Sequence, residues 1–306
     1  MLDKNGLHLR AAFFHCIRSF FHSHGFLEVD TPIRQPVYIP ERNIVPLTSE
    51  KEYLQTSPEL CMKRLLAAGN DKIFQICHCF RKEEKGRLHL EEFQMLEWYR
   101  SGADYHRLMI DCEELLRFLM ENLKEQLAKN DINGYQFFSG INLEGEWERL
   151  TVVDAFSRYS PINLEQALKE GKFDEILVDY IEPYLGNVYP VFLHDYPVQL
   201  GSLAKKKAAN PAVAERFELY IKGVELANGF SELTDADEQR MRFVHEIATI
   251  KSNTNRDAPM PERFLADLKY LDTAAGIAMG IDRLFMIAMN HRQIAEAVTF
   301  SPEDFL

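Results

Sequence analysis

No stretch of this 306-residue chain is long and uncharged enough to cross a bilayer. Among the longest apolar runs is Ile277 to Met289, and it carries Asp282 and Arg283. The N-terminus lacks the charged, apolar and small-residue sections of a secretory leader and opens directly on a helical pattern. Cysteine is scarce: five residues (Cys16, Cys61, Cys77, Cys79 and Cys112), an odd number in no disulfide framework, which fits a reducing cytoplasm. Positive charge is also short, with 35 Lys+Arg against 47 Asp+Glu and a net charge of −12. That balance argues against a broad basic surface for nucleic acid. The one dense cationic run, Lys205–Lys207, reads as a solvated loop. Repeats and low-complexity tracts are absent. What remains is the composition of an ordinary globular enzyme, long enough for one large domain or two.

Along the chain, Phe13, Phe14, Ile17, Phe20 and Phe21 recur at helical spacing and predict a helix over Leu7–His24, stopped by Gly25. Extended chain is expected over Phe26–Pro32, and a second helix over Pro58–Ala68. Ile73–Arg81 and Glu92–Arg100 read as paired strands around a charged loop. A long helix follows over Tyr105–Asn130, and the segment Asp131–Asn187 has mixed signals. Further strands are expected at Val188–Leu193, at Phe217–Phe230 with a turn at Lys222-Gly223, and at Thr273–Met279. Helices are expected at Asp237–Lys251 and Ile281–Asn290. Strands and helices come in blocks, which predicts an α+β fold with a mostly antiparallel sheet flanked by helices.

Residues two apart share a strand face. In the first hairpin one face therefore holds Cys77, Cys79 and Arg81, then Phe93, Met95, Glu97 and Tyr99. Phe74, Ile76, Phe80, Leu96 and Trp98 form the opposite, apolar face. A guanidinium, an aromatic ring, a carboxylate and a phenol suit a ligand platform. The loop Arg81 to His89 adds phosphate-binding chemistry, with guanidinium groups for phosphate and Phe93 for stacking on a base. Cys77-His78-Cys79 looks like a metal fragment, but alternation turns His78 away from the cysteines, which read as structural.

In the second hairpin the turn at Lys222-Gly223 sets Glu218 and Glu225 diagonally across two strands on one face. Two neighbouring carboxylates repel unless a cation lies between them, and hard oxygen ligands with open positions suit Mg²⁺. A solvated surface pair is the competing reading. Farther on, Gly276 to Arg283 joins a small-residue strand to a helix whose first turn carries Arg283, where the helix dipole favours phosphate.

Together these segments resemble the three ordered motifs of class II aminoacyl-tRNA synthetases, in their lysine branch. Gly25-Phe26-Leu27-Glu28-Val29 through Thr31-Pro32 resembles the first motif, Phe80-Arg81-Lys82-Glu83 through Phe93 the second, and Gly276 to Arg283 the third. The resemblance spans nearly the whole chain. The first motif starts so early that the N-terminal anticodon-binding barrel of lysyl-tRNA synthetases is expected to be missing, leaving a single catalytic domain over residues 1–306. That is the layout of the shorter paralogues that use ATP to join (R)-β-lysine to a lysine side chain of elongation factor P. Ser57-Pro58-Glu59-Leu60, the run Glu225 to Phe230, and Ala278, where lysyl-tRNA synthetases usually have glycine, are similar to that branch as well.

The resemblance implies a set of roles. Arg81 and Arg283 would be catalytic, Arg81 on the α-phosphate and Arg283 with His89 on the outgoing phosphates. Lys82, Glu83, Leu90, Phe93, Leu226 and Gly280 would complete the ATP site, with Glu218 and Glu225 binding Mg²⁺. Ser57, Pro58, Glu59, Glu97, Tyr99, Asn228, Glu232 and Ala278 would hold the lysine substrate, Glu59 at the amine beside the carboxylate and Asn228 at the carboxylate itself. The first motif implies a homodimer; elongation factor P is the expected acceptor, and neither tRNA nor a membrane is an expected partner. Leu90-Glu91 replaces the family's usual Asn-Pro, so adenine loses a side-chain amide there. Two other readings stay open: a ligase charging tRNA or another small acceptor, and an inactive regulatory paralogue.

Overall fold

The N-terminal amphipathic pattern folds as α1 (Lys4–Ser23), capped by Asp3, whose side chain accepts from the Gly6 amide. Phe13, Ile17, Phe20 and Phe21 are its buried face. Of the stretch expected to be extended, only β1 (Leu27–Glu28) joins a ladder. A small sheet follows, made of β2 (Arg34–Gln35), β3 (Thr48–Ser49) and β4 (Glu52–Leu54). Then come α2 (Glu59–Ala67), the hairpin β5 (Lys72–Phe80) and β6 (Glu92–Ser101), and α3 (Tyr105–Ala128). In this computed structural model the described residues are 1–128 and 135–306. The last two residues of the helix expected over Tyr105–Asn130 lie outside them, as does the start of the Asp131–Asn187 segment.

The rest of that segment forms β7 (Glu148–Thr151), α4 (Val152–Tyr159), α5 (Leu164–Glu170) and α6 (Phe173–Ile176). These pack around their own apolar cluster, which includes Phe156, Phe173 and Ile181. β8 runs Val191–Pro197, later than the expected Val188–Leu193. The delay has a cause: the carbonyls of Leu185 and Gly186 accept from Gly223 and Lys222 at the neighbouring hairpin turn, so the chain enters the ladder only afterwards. The lysine run is not simply a solvated loop either. Lys206–Lys207 form β9, and Lys207 Nζ sits 2.5 Å from Asp195. β10 (Asn210–Ile221) and β11 (Val224–Ser231) turn at Lys222-Gly223, both with positive φ (52° and 69°), a turn that glycine makes inexpensive. α7 (Ala236–Thr254), α8 (Glu262–Leu268), β12 (Ala274–Gly280) and α9 (Ile281–Ala288) complete the chain's larger elements.

The main sheet orders its strands β1-β5-β6-β12-β11-β10-β8-β7, with β9 beside β10. Only the outermost pairs, β1 with β5 and β7 with β8, are parallel among the described strands. The expected α+β, mostly antiparallel architecture is therefore present. One face of the sheet packs on α1 and α3 through Phe74, Leu96, Trp98, Phe217, Ile277 and Met279. Asp111 of α3 locks β6 in place, accepting from Trp98 Nε1 (3.1 Å) and from Arg100 Nε (2.6 Å). Because side chains alternate, the remaining residues of β6, β11 and β12 face the other way. That second face carries the cavity.

Candidate active site

The three central strands supply the floor. Phe93, Glu97 and Tyr99 of β6 line the cavity on the face that alternation assigned to them, with Gly276, Ala278 and Gly280 of β12 and Glu225, Leu226 and Asn228 of β11. Register places Ala278 directly between Glu97 on one side and Asn228 on the other. Arg81, His89 and Leu90 from the loop after β5, Arg283 from α9, and Ser57 and Glu59 at the start of α2 close the walls.

The cavity has two chemically distinct ends. At one, Arg81 lies over the Phe93 ring, 5.3 Å from its centroid, and its Nε donates to the Thr56 carbonyl at 3.3 Å. Arg283 donates to the Leu88 and Glu225 carbonyls at 3.1 and 3.0 Å and also contacts His89 Nε2. Burial, and then the Arg283 charge, hold the His89 imidazole below its ordinary pKa, so it is a neutral hydrogen-bonding group at pH 7. Buried Asp282 aims this helix: its carboxylate accepts from Arg10 at 2.6 Å and from the Gln94 amide at 2.7 Å. Two guanidinium groups, a neutral imidazole and an aromatic ring make an anion-binding end with a stacking surface.

At the other end carboxylates accumulate. Glu97 accepts from Ser57 Oγ (2.5 Å) and Tyr99 OH (2.7 Å); burial, and then the neighbouring Glu59 charge, push its pKa up to about 8. Glu232 is also raised to about 8, by burial first, with Lys63 opposing. Neither Glu232 oxygen receives an aligned hydrogen bond. Glu232 lies behind Gly276 rather than on the open wall, and a Cβ at Gly276 would come within 2.4 Å of its Oε1 and 2.2 Å of Tyr99. Glycine is thus required there by close approach. A buried cluster of carboxylates with one lysine ammonium among them suits a further cationic ligand.

Sequence comparison shows the family. Residues 3–304 match the family of class II tRNA synthetases (D, K and N). The chain belongs to that family. It is 37% identical over 295 residues to the elongation factor P–(R)-β-lysine ligase of Proteus mirabilis, covering 93% of this chain and 91% of that one. It is 38% identical over 314 residues to the ligase of the same name from Pectobacterium carotovorum (96% and 94% coverage). The Edwardsiella ictaluri ligase is 36% identical over 303 residues (95% and 93%).

Within this class II frame, some residues expected at the site stand elsewhere. Lys82 and Glu83 turn outward, 53% and 73% exposed, and face each other rather than the cavity. Pro58 caps α2 and shapes the entry to Glu59 without reaching the wall. Glu218 does not reach the cavity wall. Glu225 stands opposite Tyr220, diagonal to Glu218 on the expected face, but Glu218 is held by Arg216 (2.6 Å), Tyr220 OH (2.7 Å) and Tyr196 OH. Glu225 stays on the wall, its pKa raised by burial and then by Glu218. Among the described residues no group of three or more His, Cys, Asp or Glu side chains is arranged to hold a metal ion, the Cys77–Cys79 pair included.

Sequence reading missed three contributors. Lys63 is wedged between Glu59 and Glu232. Arg216 donates from Nε to the Asn228 side-chain oxygen Oδ1 at 3.2 Å, leaving its amide NH₂ to donate into the cavity. Asp282 was visible only as an interruption of an apolar run; its role depends on Arg10, far away in sequence.

Proposed function

We propose that this chain activates (R)-β-lysine with ATP as an adenylate and transfers it to a lysine side chain of elongation factor P. The observation that carries the reading is the pairing, in one cavity, of an anion-binding end built on Arg81 and Arg283 with a cation-binding end built on Glu59 and Glu97, backed by Glu232 behind Gly276. The relatives' shared name and their coverage of nearly the whole chain support it.

In this reading Phe93 stacks on adenine, and Arg81 takes the α-phosphate as the substrate carboxylate attacks it. Arg283 and His89 hold the departing pyrophosphate. The displacement needs positioning and charge stabilisation, not a covalent nucleophile. Asn228 orients the carboxylate through the amide that Arg216 fixes. Glu59 meets the amine nearer the carboxylate, while Glu97, Tyr99 and Glu232 hold the distal ammonium. Leu90 lends only its backbone and apolar side chain to the nucleotide. Mg²⁺ bound with the phosphates would neutralise their charge; Glu225 is the carboxylate free to ligate it, and Glu218, already bound by three donors, would serve as its neighbour. We assign the whole chain to one catalytic unit, a homodimer through the first motif, where Leu27 and Ile33 are exposed, and a cytoplasmic location.

The test incubates the protein with ATP, each lysine isomer, and either tRNA or elongation factor P, then weighs the acceptors. A mass gain of one β-lysyl group on elongation factor P is expected. Modification confined to tRNA, or none with either acceptor, would overturn the reading.

A further inference from the structure

Glu41 lines the cavity yet has no part in activation as derived above. It lies in the loop between β2 and β3, where its neighbour Arg42 pairs with Glu246 of α7 and anchors the loop. Its Oε1 accepts from Ser202 Oγ at 3.0 Å. The charged groups facing it come from three other elements: Glu59 of α2, Arg81 after β5, and Arg216 of β10. In the proposed function those are the groups at the amine, at the α-phosphate, and behind the amide that holds the carboxylate. All three line the same cavity as Glu41, and in the proposed function they would surround the carbonyl carbon of the adenylate.

A carboxylate beside a phosphate hinders adenylate formation and gains nothing from it. The transfer step has a different need. A lysine side chain has an ordinary pKa of about 10.4, so at pH 7 the acceptor arrives as an ammonium that cannot attack. We propose that Glu41 is a catalytic residue of transfer, receiving the acceptor ε-ammonium and removing its proton. This role rests on the protein-modifying function proposed above. One proton passes from the ammonium to the Glu41 carboxylate. The freed amine forms the C–N bond at the adenylate carbonyl, and its second proton goes to water. The C–O bond to phosphate breaks, and AMP leaves with that electron pair. Burial and the Glu59 charge raise the Glu41 pKa, in the direction that improves a general base at neutral pH.

Glu41→Gln keeps an oxygen for Ser202 and removes the base, and three readouts separate the steps. β-Lysine-dependent exchange of pyrophosphate into ATP should stay within a few-fold of wild type. Capture of the adenylate by hydroxylamine, an amine already neutral at pH 7, should do the same. Transfer to elongation factor P should fall by about 10²–10⁴-fold, and recover as pH rises and the acceptor amine deprotonates unaided. Unchanged transfer overturns the role, as does an equal loss in all three readouts, which would mark Glu41 as structural. Wild type that activates lysine but modifies no protein amine overturns the function and this role together.

Discussion

Lys63 Nζ lies 2.5 Å from Glu232 Oε2, with side chains only 1% and 0% exposed. The same ammonium contacts Glu59, one helical turn back on α2. A protein cation thus ties together two of the carboxylates assigned to a cationic substrate. Its charge opposes the burial that raises the Glu232 pKa.

Removing that cation should be costly. Lys63→Met leaves the carboxylates uncompensated, and breaking a buried pair in this way destabilises by about 3–5 kcal/mol. Thermal or urea unfolding measures the loss, and Lys63→Arg should recover part of it. A methionine variant as stable as wild type would show the ion contacts to be dispensable.

The carboxylates also set a pH dependence. Glu97 and Glu232 are raised to about 8, so the free protein holds protons there between the ordinary carboxylate range and pH 8. An unfolded chain holds fewer protons in that window, and the folded state loses stability as pH rises through it. Arrival of an ammonium drives these protons off. Binding of lysine near pH 7 should therefore release protons, and KM should fall as pH rises from about 6 to 8, where the carboxylates ionise. Calorimetry in two buffers of different ionisation enthalpy counts the protons; zero release would contradict the assignment.

Selectivity between isomers should rest on Ala278, which stands in register between Glu97 and Asn228. Its methyl group occupies the floor between the group assigned to the ammonium and the one assigned to the carboxylate. Ala278→Gly should relax selection toward α-lysine by roughly 10- to 200-fold, the range for one methylene-sized change. Steady-state activation with both isomers decides it, and an unchanged ratio removes Ala278 from the specificity determinants.

For magnesium, the two glutamates should behave differently. Glu225→Gln should raise the Mg²⁺ concentration needed for activation, since a neutral amide is a weaker ligand. Glu218→Gln should mainly destabilise, because Arg216 then lacks its buried partner. Identical magnesium titrations for wild type and Glu225→Gln would reassign Glu225 to holding Arg283.

Much was legible in the sequence alone. The β5–β6 hairpin, its two faces and the turn at Lys222-Gly223 depend on a period of two and on local turn chemistry, both written into neighbouring residues. The three motifs were readable because their chemistry sits in short contiguous strings, and they carried the class II fold with them. Most of the expected site residues, from Ser57 to Arg283, do meet at one cavity.

Tertiary structure decided what local pattern cannot express. Lys63 stands four residues after Glu59, a spacing that on a helix usually marks a surface pair, and only Phe230 and Phe264 packing over it make it a buried counter-ion. Glu218 and Glu225 looked equivalent until Arg216 and two tyrosines, one from β8, held Glu218 in the interior and left Glu225 at the cavity. Glu41 sits in a loop with no period at all. Periodicity states which way a side chain points, whereas its charge state and partners depend on what another part of the chain brings against it.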